Sequence, residues 1–184
     1  MTAKPSTHPT FAQMGHFFRL ASDGLVTTEM FQGFLEQPDR FVRPTSPVTI
    51  SYQVGLVEMI KLGKYDWTNE DINPKNFPLE GTGEVNVELV LVHIGENVSS
   101  DEARARIIDQ ELGISPIEHL LMFGAKNPEL QRKFPIVALG SVMVFADGYR
   151  CVPFLGGSAG GRGLGLSGEG GGWDDGCRFL AFRK

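Results

Sequence analysis

Two stretches near the C-terminus carry the letters of cofactor or catalytic motifs. Gly163-Leu164-Gly165-Leu166-Ser167-Gly168 fits the G-x-G-x-x-G pattern that lays a dinucleotide pyrophosphate against a helix N-terminus. No helix is expected after it, and no room is left for an acidic residue about 20 positions further on to hold a ribose. Gly156-Gly157-Ser158-Ala159-Gly160 fits G-x-S-x-G, the elbow that raises a nucleophilic serine between a strand and a helix. That chemistry also asks for a histidine later in the chain, and the last one is His119, so Ser158 reads as a surface hydroxyl. His8, His16, His93 and His119 are scattered, and no pair of carboxylates sits in an apolar setting that would split their pKa values. Cys151 and Cys177 are the only cysteines. Neither has a C-x-x-C partner, and the lack of a signal-peptide pattern favours two free thiols over a disulfide. These residues therefore point away from catalysis, and no cofactor or metal is expected.

The elements that would position these residues can be read in order. Residues 1–10 are polar, hold two prolines and read as disordered. Phe11–Leu20 and Thr27–Leu35 have helical spacing, with Phe11, Met14, Phe17 and Phe18 on one stripe and Gln37-Pro38-Asp39 as a stop. Pro44-Thr45-Ser46-Pro47 is turn chemistry, Val48–Val54 alternates as a strand, Val57–Leu62 is a short apolar turn or helix, and residues 63–78 read as loop. A second unit is expected from residue 81. Val85–Ile94 is a strong strand; a helix capped by Ser99 or Ser100 runs to about Leu112 and is stopped by Gly113; Ser115-Pro116 starts another. Ile136–Phe145 reads as one strand, joined by the turn Asp147-Gly148 to a strand at Tyr149–Leu155, with further strands at Arg162–Ser167 and Cys177–Arg183. The spacing predicts an α+β chain: an N-terminal extension over residues 1–80 and an α+β domain over residues 81–184.

Composition bounds the function. The chain has 184 residues and a net charge of −5, with no run of basic residues, so a nucleic-acid partner is not expected. No apolar run is long enough to insert into a membrane, and the N-terminus lacks the apolar region of a signal peptide, so a soluble protein is expected. The unusual feature is Gly156–Gly176, which holds eleven of the chain's 23 glycines. Such density usually makes a flexible linker. Here Leu164 and Leu166 alternate with glycines and Trp173 ends the run, which argues for an ordered surface with small residues outward and sparse apolar anchors.

Trp173-Asp174-Asp175 resembles the Trp-Asn-Asp strand of calcium-dependent lectins, and Gln37-Pro38-Asp39 resembles their Gln-Pro-Asp loop. A calcium site needs about six to eight oxygens held together. Too few are in sight, and the Gln-Pro-Asp lies in the other unit, so no metal is expected. The order of elements from Val85, with the ending GWDDGCRFLAFRK, resembles a C-type lectin fold of the formylglycine-generating-enzyme kind. More narrowly it is similar to the variable proteins of diversity-generating retroelements, of the type found in archaea and candidate-phylum bacteria. The match is carried by residues 118–142, Tyr149-Arg150, Val152-Pro153, Arg162, Leu164, Leu166, Trp173 and residues 177–184, and more loosely by residues 62–67.

That resemblance implies a reverse transcriptase that miscopies template adenines, so that Asn codons of the AAY type become Gly, Ser, Asp, Ala, Cys or Phe but never stop. Within a variable region of about residues 141–184, it implies ligand-binding variable positions at Cys151, Phe154, Gly156, Gly157, Ser158, Ala159, Gly161, Gly163, Gly165, Ser167, Gly170, Asp174, Asp175 and Gly176. Arg162, Leu164, Leu166 and Trp173 would be anchors. Glu169 does not fit an AAY origin. The implied partner is a protein or cell-surface ligand, with Phe154 as the strongest contact. Two other readings stay open: a formylglycine-generating-type enzyme using Cys151 and Cys177 to bind copper, and a structural or adhesion subunit.

Overall fold

The computed structural model describes residues 11–36 and 45–184. These fall into two compact units that divide between Val42 and Arg43, upstream of the boundary expected at residue 80. Residues 1–10 and Gln37-Pro38-Asp39, for which disorder and a helix stop are expected, lie outside the described residues. The protein is a mixed α/β structure with five α-helices among the described residues and one large sheet of parallel and antiparallel pairs.

In the first unit, helix α1 (Phe11–Ser22) and helix α2 (Thr28–Glu36) follow the predicted periodicity. Thr27 Oγ1 accepts from Met30 N, which caps α2, and the rings of Phe17 and Phe31 meet at 5.7 Å between the helices.

The second unit holds strands β1 (Thr45–Ser51), β2 (Trp67–Thr68), β3 (Glu84–His93), β4 (Leu112–Ile114), β5 (Ile136–Val137), β6 (Met143–Val144), β7 (Arg150–Ser158), β8 (Gly161–Gly168) and β9 (Arg178–Arg183). Its helices are α3 (Leu56–Gly63), α4 (Ser100–Ile108) and α5 (Ile117–Lys126). The sheet order is β1-β3-β9-β5-β7-β8-β2, with β4 also on β9 and β6 also on β7. β1 pairs with β3 over its whole length, so residues 45–51 belong to the same sheet as the C-terminal strands. Pro47 fits there because β1 is an edge strand, where a missing N–H costs no ladder bond.

Two apolar clusters lie on opposite faces of this sheet. Leu89, Leu91, Leu155, Leu164 and Leu180 pack with Leu56 and Met59 of α3 and Leu120, Leu121 and Phe123 of α5. Val90, Val92, Val152, Phe179 and Ala181 pack with Ala103 and Ile107 of α4 and with Trp173. The alternation read for Val85–Ile94 and for the last strand is thus the division between the two faces.

Four expectations change. Thr45-Ser46-Pro47 is not a turn but the start of β1, which ends at Ser51 rather than Val54 because its pairing with β3 stops there. The helix after Ser99 ends at Ile108 rather than near Leu112, and Glu111 takes the left-handed turn, with φ 60°. Gly113 is not a helix stop; it sits in β4, where a Cβ would run into the Phe182 ring. Ile136–Phe145 is not one strand, because Gly140 turns the chain against the Ser115 backbone, with its amide donating to Ser115 O at 3.0 Å. A Cβ there would lie 2.7 Å from the Ser115 carbonyl carbon, so the break needs glycine.

Candidate functional site

The glycine run is ordered as a β-hairpin, not as a tail. β7 and β8 pair in register from Cys151↔Gly168 to Ser158↔Gly161. Alternation then sorts the residues. Val152 lies in the α4-side cluster, so Phe154, Gly156 and Ser158 share its face, and across the pair so do Gly161, Gly163, Gly165 and Ser167. Arg162 and Leu164 point the other way and are buried. Leu166 shares their face but is only half-buried. Seven of the fourteen expected binding positions therefore lie together on one face. Ala159 stands exposed at the hairpin turn. Gly170, Asp174, Asp175 and Gly176 are exposed on the loop that leads into β9. Cys151 and Gly157 do not join them, since strand parity turns both toward the α5 side, and Cys151 is buried. Gly165, although on the right face, is also buried.

What covers Gly165 is aromatic. Trp67 of β2 pairs beside Gly163, and Phe154 pairs opposite Gly165. A Cβ on Gly165 would lie 2.7 Å from Phe154 Cε1 and 3.4 Å from Trp67 Cζ3, so both rings converge over that one position. A Cβ on Gly163 would lie 3.3 Å from Trp67 Cε3, and one on Gly156 would lie 3.0 Å from Phe154 Cε2. The glycines form a floor on which two rings lie down. Trp67 stays 57 % exposed.

The opposite face of the hairpin is fastened by polar groups. Gln131, 1 % exposed, donates from Nε2 to the carbonyls of Gly156 at 2.7 Å and Gly163 at 3.0 Å. Its Oε1 accepts from Arg162 Nη2 at 3.1 Å, and Arg162 Nη2 also donates to Gly124 O at 3.2 Å. The guanidinium lies 5.3 Å from the centre of the Tyr65 ring, and burial pushes the Tyr65 phenol above its ordinary range. Asp66 Oδ2 accepts from Arg162 N at 2.7 Å, tying β2's approach to β8.

The loop after β8 is fastened from α4. Trp173 and Val98 exchange backbone bonds at 2.8 and 3.0 Å, and Trp173 Nε1 donates to Ser100 Oγ at 2.9 Å. Ser100 Oγ donates in turn to Glu169 O at 2.8 Å. Asp174 Oδ1 accepts from Gly176 N at 2.9 Å and from the Cys177 thiol at 3.4 Å, while His93 Nε2 meets Asp175 O at 2.9 Å. Both cysteines are free and buried. Burial, then the neighbouring Asp174 carboxylate, pushes the Cys177 thiol up to about 11; burial likewise raises Cys151. Thiols held protonated are poor nucleophiles and poor metal ligands. Among the described residues no three His, Cys, Asp or Glu side chains cluster as metal ligands would, and no helix is long and apolar enough to cross a membrane.

Trp67 shapes this surface as much as the glycines do, and Gln131 fastens the hairpin from its other face. The sequence offers no local signal for Gln131; Trp67 lies in a loop-like stretch whose pairing with β8 is parallel and distant in the chain.

Comparison with protein-family models, curated proteins and solved structures gives no match to this chain.

Proposed function

We propose that this is a non-catalytic binding protein whose ligand surface is the outer face of the β7–β8 hairpin and the loop to β9. More particularly, we read it as the variable protein of a diversity-generating retroelement, with a C-type lectin fold of the formylglycine-generating-enzyme kind. One observation carries the reading: residue types that AAY codons reach alternate at strand period with the anchors Arg162 and Leu164, and seven of them share one face. A surface arranged in this way keeps the anchors Arg162 and Leu164 on the other face, so substitution on it leaves them in place. The partner would be a protein or cell-surface ligand. Net charge of −5 argues against nucleic acid, and the reading calls for no cofactor.

The copper-enzyme reading requires two thiols at one place. Strand parity turns Cys151 to the α5 side, whereas Cys177 packs in the α4-side cluster. Copper(I) titration with no spectral change is expected.

Sequencing the DNA around the coding region, and sibling copies of it, tests the main reading. The expected result is a near-identical repeat beside a reverse-transcriptase gene, with substitutions confined to positions such as 154, 156, 163, 165 and 174. Absence of both repeat and reverse transcriptase, or variation centred on residues 162, 164 and 173, would overturn it.

A further inference from the structure

The turn at Glu169–Gly171 and Gly172 after it form a ridge between two clefts. One, of about 440 Å³, is lined by Ser99, Asp101, Arg104, Tyr149, Arg150 and Glu169 among others. The other, of about 600 Å³, is lined by Asn97, Ser99, Glu102, Gly172, Trp173 and Asp174 among others. Ser99 and Gly170 line both. The ridge has three consecutive glycines, Gly170, Gly171 and Gly172, and at the first two a Cβ would meet nothing. These three glycines have no side chains to hold them there, and glycine loses more backbone entropy on ordering than any other residue. Something at its ends must fix it.

Trp173 fixes one end, as described. At the other end the Glu169 side chain is only 9 % exposed. Its Oε1 accepts from Arg104 Nη2 of α4, and its Oε2 accepts from Arg150 Nε of β7 at 2.7 Å. Arg104 is itself oriented by Asp101 Oδ1 at 3.2 Å and Leu139 O at 3.2 Å. One carboxylate thus joins a helix, a strand and the loop. We propose that Glu169 is a positioning residue, a fixed pin in an otherwise interchangeable surface, which holds the glycine ridge and the loop to Gly176 in one conformation. This gives a physical reason why a residue outside the AAY set stands there. The role in binding rests on the proposed function; the pin itself does not.

Burial pushes the Glu169 carboxyl up, but the hydrogen bonds and charges of Arg104 and Arg150 outweigh it, and its pKa ends below the ordinary range. The charged and titratable groups around it are Arg104 and Asp101 from α4 and Arg150 and Tyr149 from β7 and its approach. A carboxyl depressed on folding contributes order above its unfolded pKa and loses it as pH falls through the folded one.

Amide hydrogen exchange on the full chain, without any ligand, tests the pin. In Glu169→Gln, exchange at residues 170–176 should rise about tenfold, as expected for loss of a charge-assisted bond, with β3 and β9 unchanged. Wild-type protection of those amides, corrected for intrinsic rates, should fall below the ordinary carboxyl range, while Glu169→Gln shows no such step. Arg104→Met should reproduce the effect and add little to it in the double variant. Unchanged exchange at 170–176 in Glu169→Gln, or a rise spread equally over β3 and β9, would overturn the proposal. Failure of the sequencing test would leave it standing.

Discussion

Gln131 is the residue on which the hairpin's inner side depends most. It gives both amide protons to β7 and β8 carbonyls and takes the Arg162 guanidinium on its oxygen, all at 1 % exposure. Gln131→Ala removes a second donor from two ladder carbonyls and the only side-chain acceptor described for the buried Arg162 guanidinium, which keeps Gly124 O. We expect a loss of about 2–4 kcal/mol in chemical denaturation. A loss under about 0.5 kcal/mol would mean that water replaces the amide without cost. His119 sets a second expectation at this scale. Its ring stands edge-on to Phe182 at 5.1 Å, and burial lowers its pKa from 6.5 to about 4. The unfolded chain therefore binds this proton first, and stability falls as pH drops from about 6.5 toward about 4, by up to roughly 3 kcal/mol. His119→Gln should flatten that part of the pH–stability curve. A wild-type slope retained in the variant would assign the effect to other groups.

At the scale of elements, the hairpin shows why strand period was legible and its neighbours were not. Leu164 alternates with glycines, and the terminal strand alternates Phe179 and Ala181 against Leu180 and Phe182; those patterns are local, and the structure keeps them. Gly113 and Gly140 are different. Each is glycine because something distant in the chain, Phe182 or the Ser115 backbone, comes too close for a Cβ. Read locally, Gly113 looks like a helix stop and Gly140 like one more residue of a strand. The lie of Phe154 and Trp67 was hidden for the same reason, since it needs β2 beside β8. That arrangement yields a prediction. In Gly165→Ala the new methyl meets the far end of the Phe154 ring, which can swing outward. Stability should change by less than about 1 kcal/mol, while Trp67 becomes more accessible to an aqueous quencher. A loss of about 3 kcal/mol would mean that the rings cannot leave the floor. Under the proposed function, this substitution would stand the two rings up and change the shape offered to a ligand.

At the scale of the molecule, the described core belongs to residues 43–184. Both apolar clusters draw all their described members from that unit, with none from α1 or α2. The nine strands and the three helices packed on the sheet are there as well. α1 and α2, at 12 and 9 residues, are of a length that is marginal in isolation. They also leave Phe18 67 % and Met30 50 % exposed. Removing residues 1–42 should therefore keep one cooperative thermal transition, with the midpoint within about 4 °C of the full chain, a shift worth no more than roughly 1 kcal/mol for a unit of this size. Far-ultraviolet circular dichroism should lose helical signal and keep the strand contribution, and amides of β3 and β9 should exchange as slowly as before. Aggregation of the shortened chain, or a midpoint lowered by 10 °C or more, would mean that the helical pair shields part of the sheet unit, and the core would then have to be counted over the whole chain.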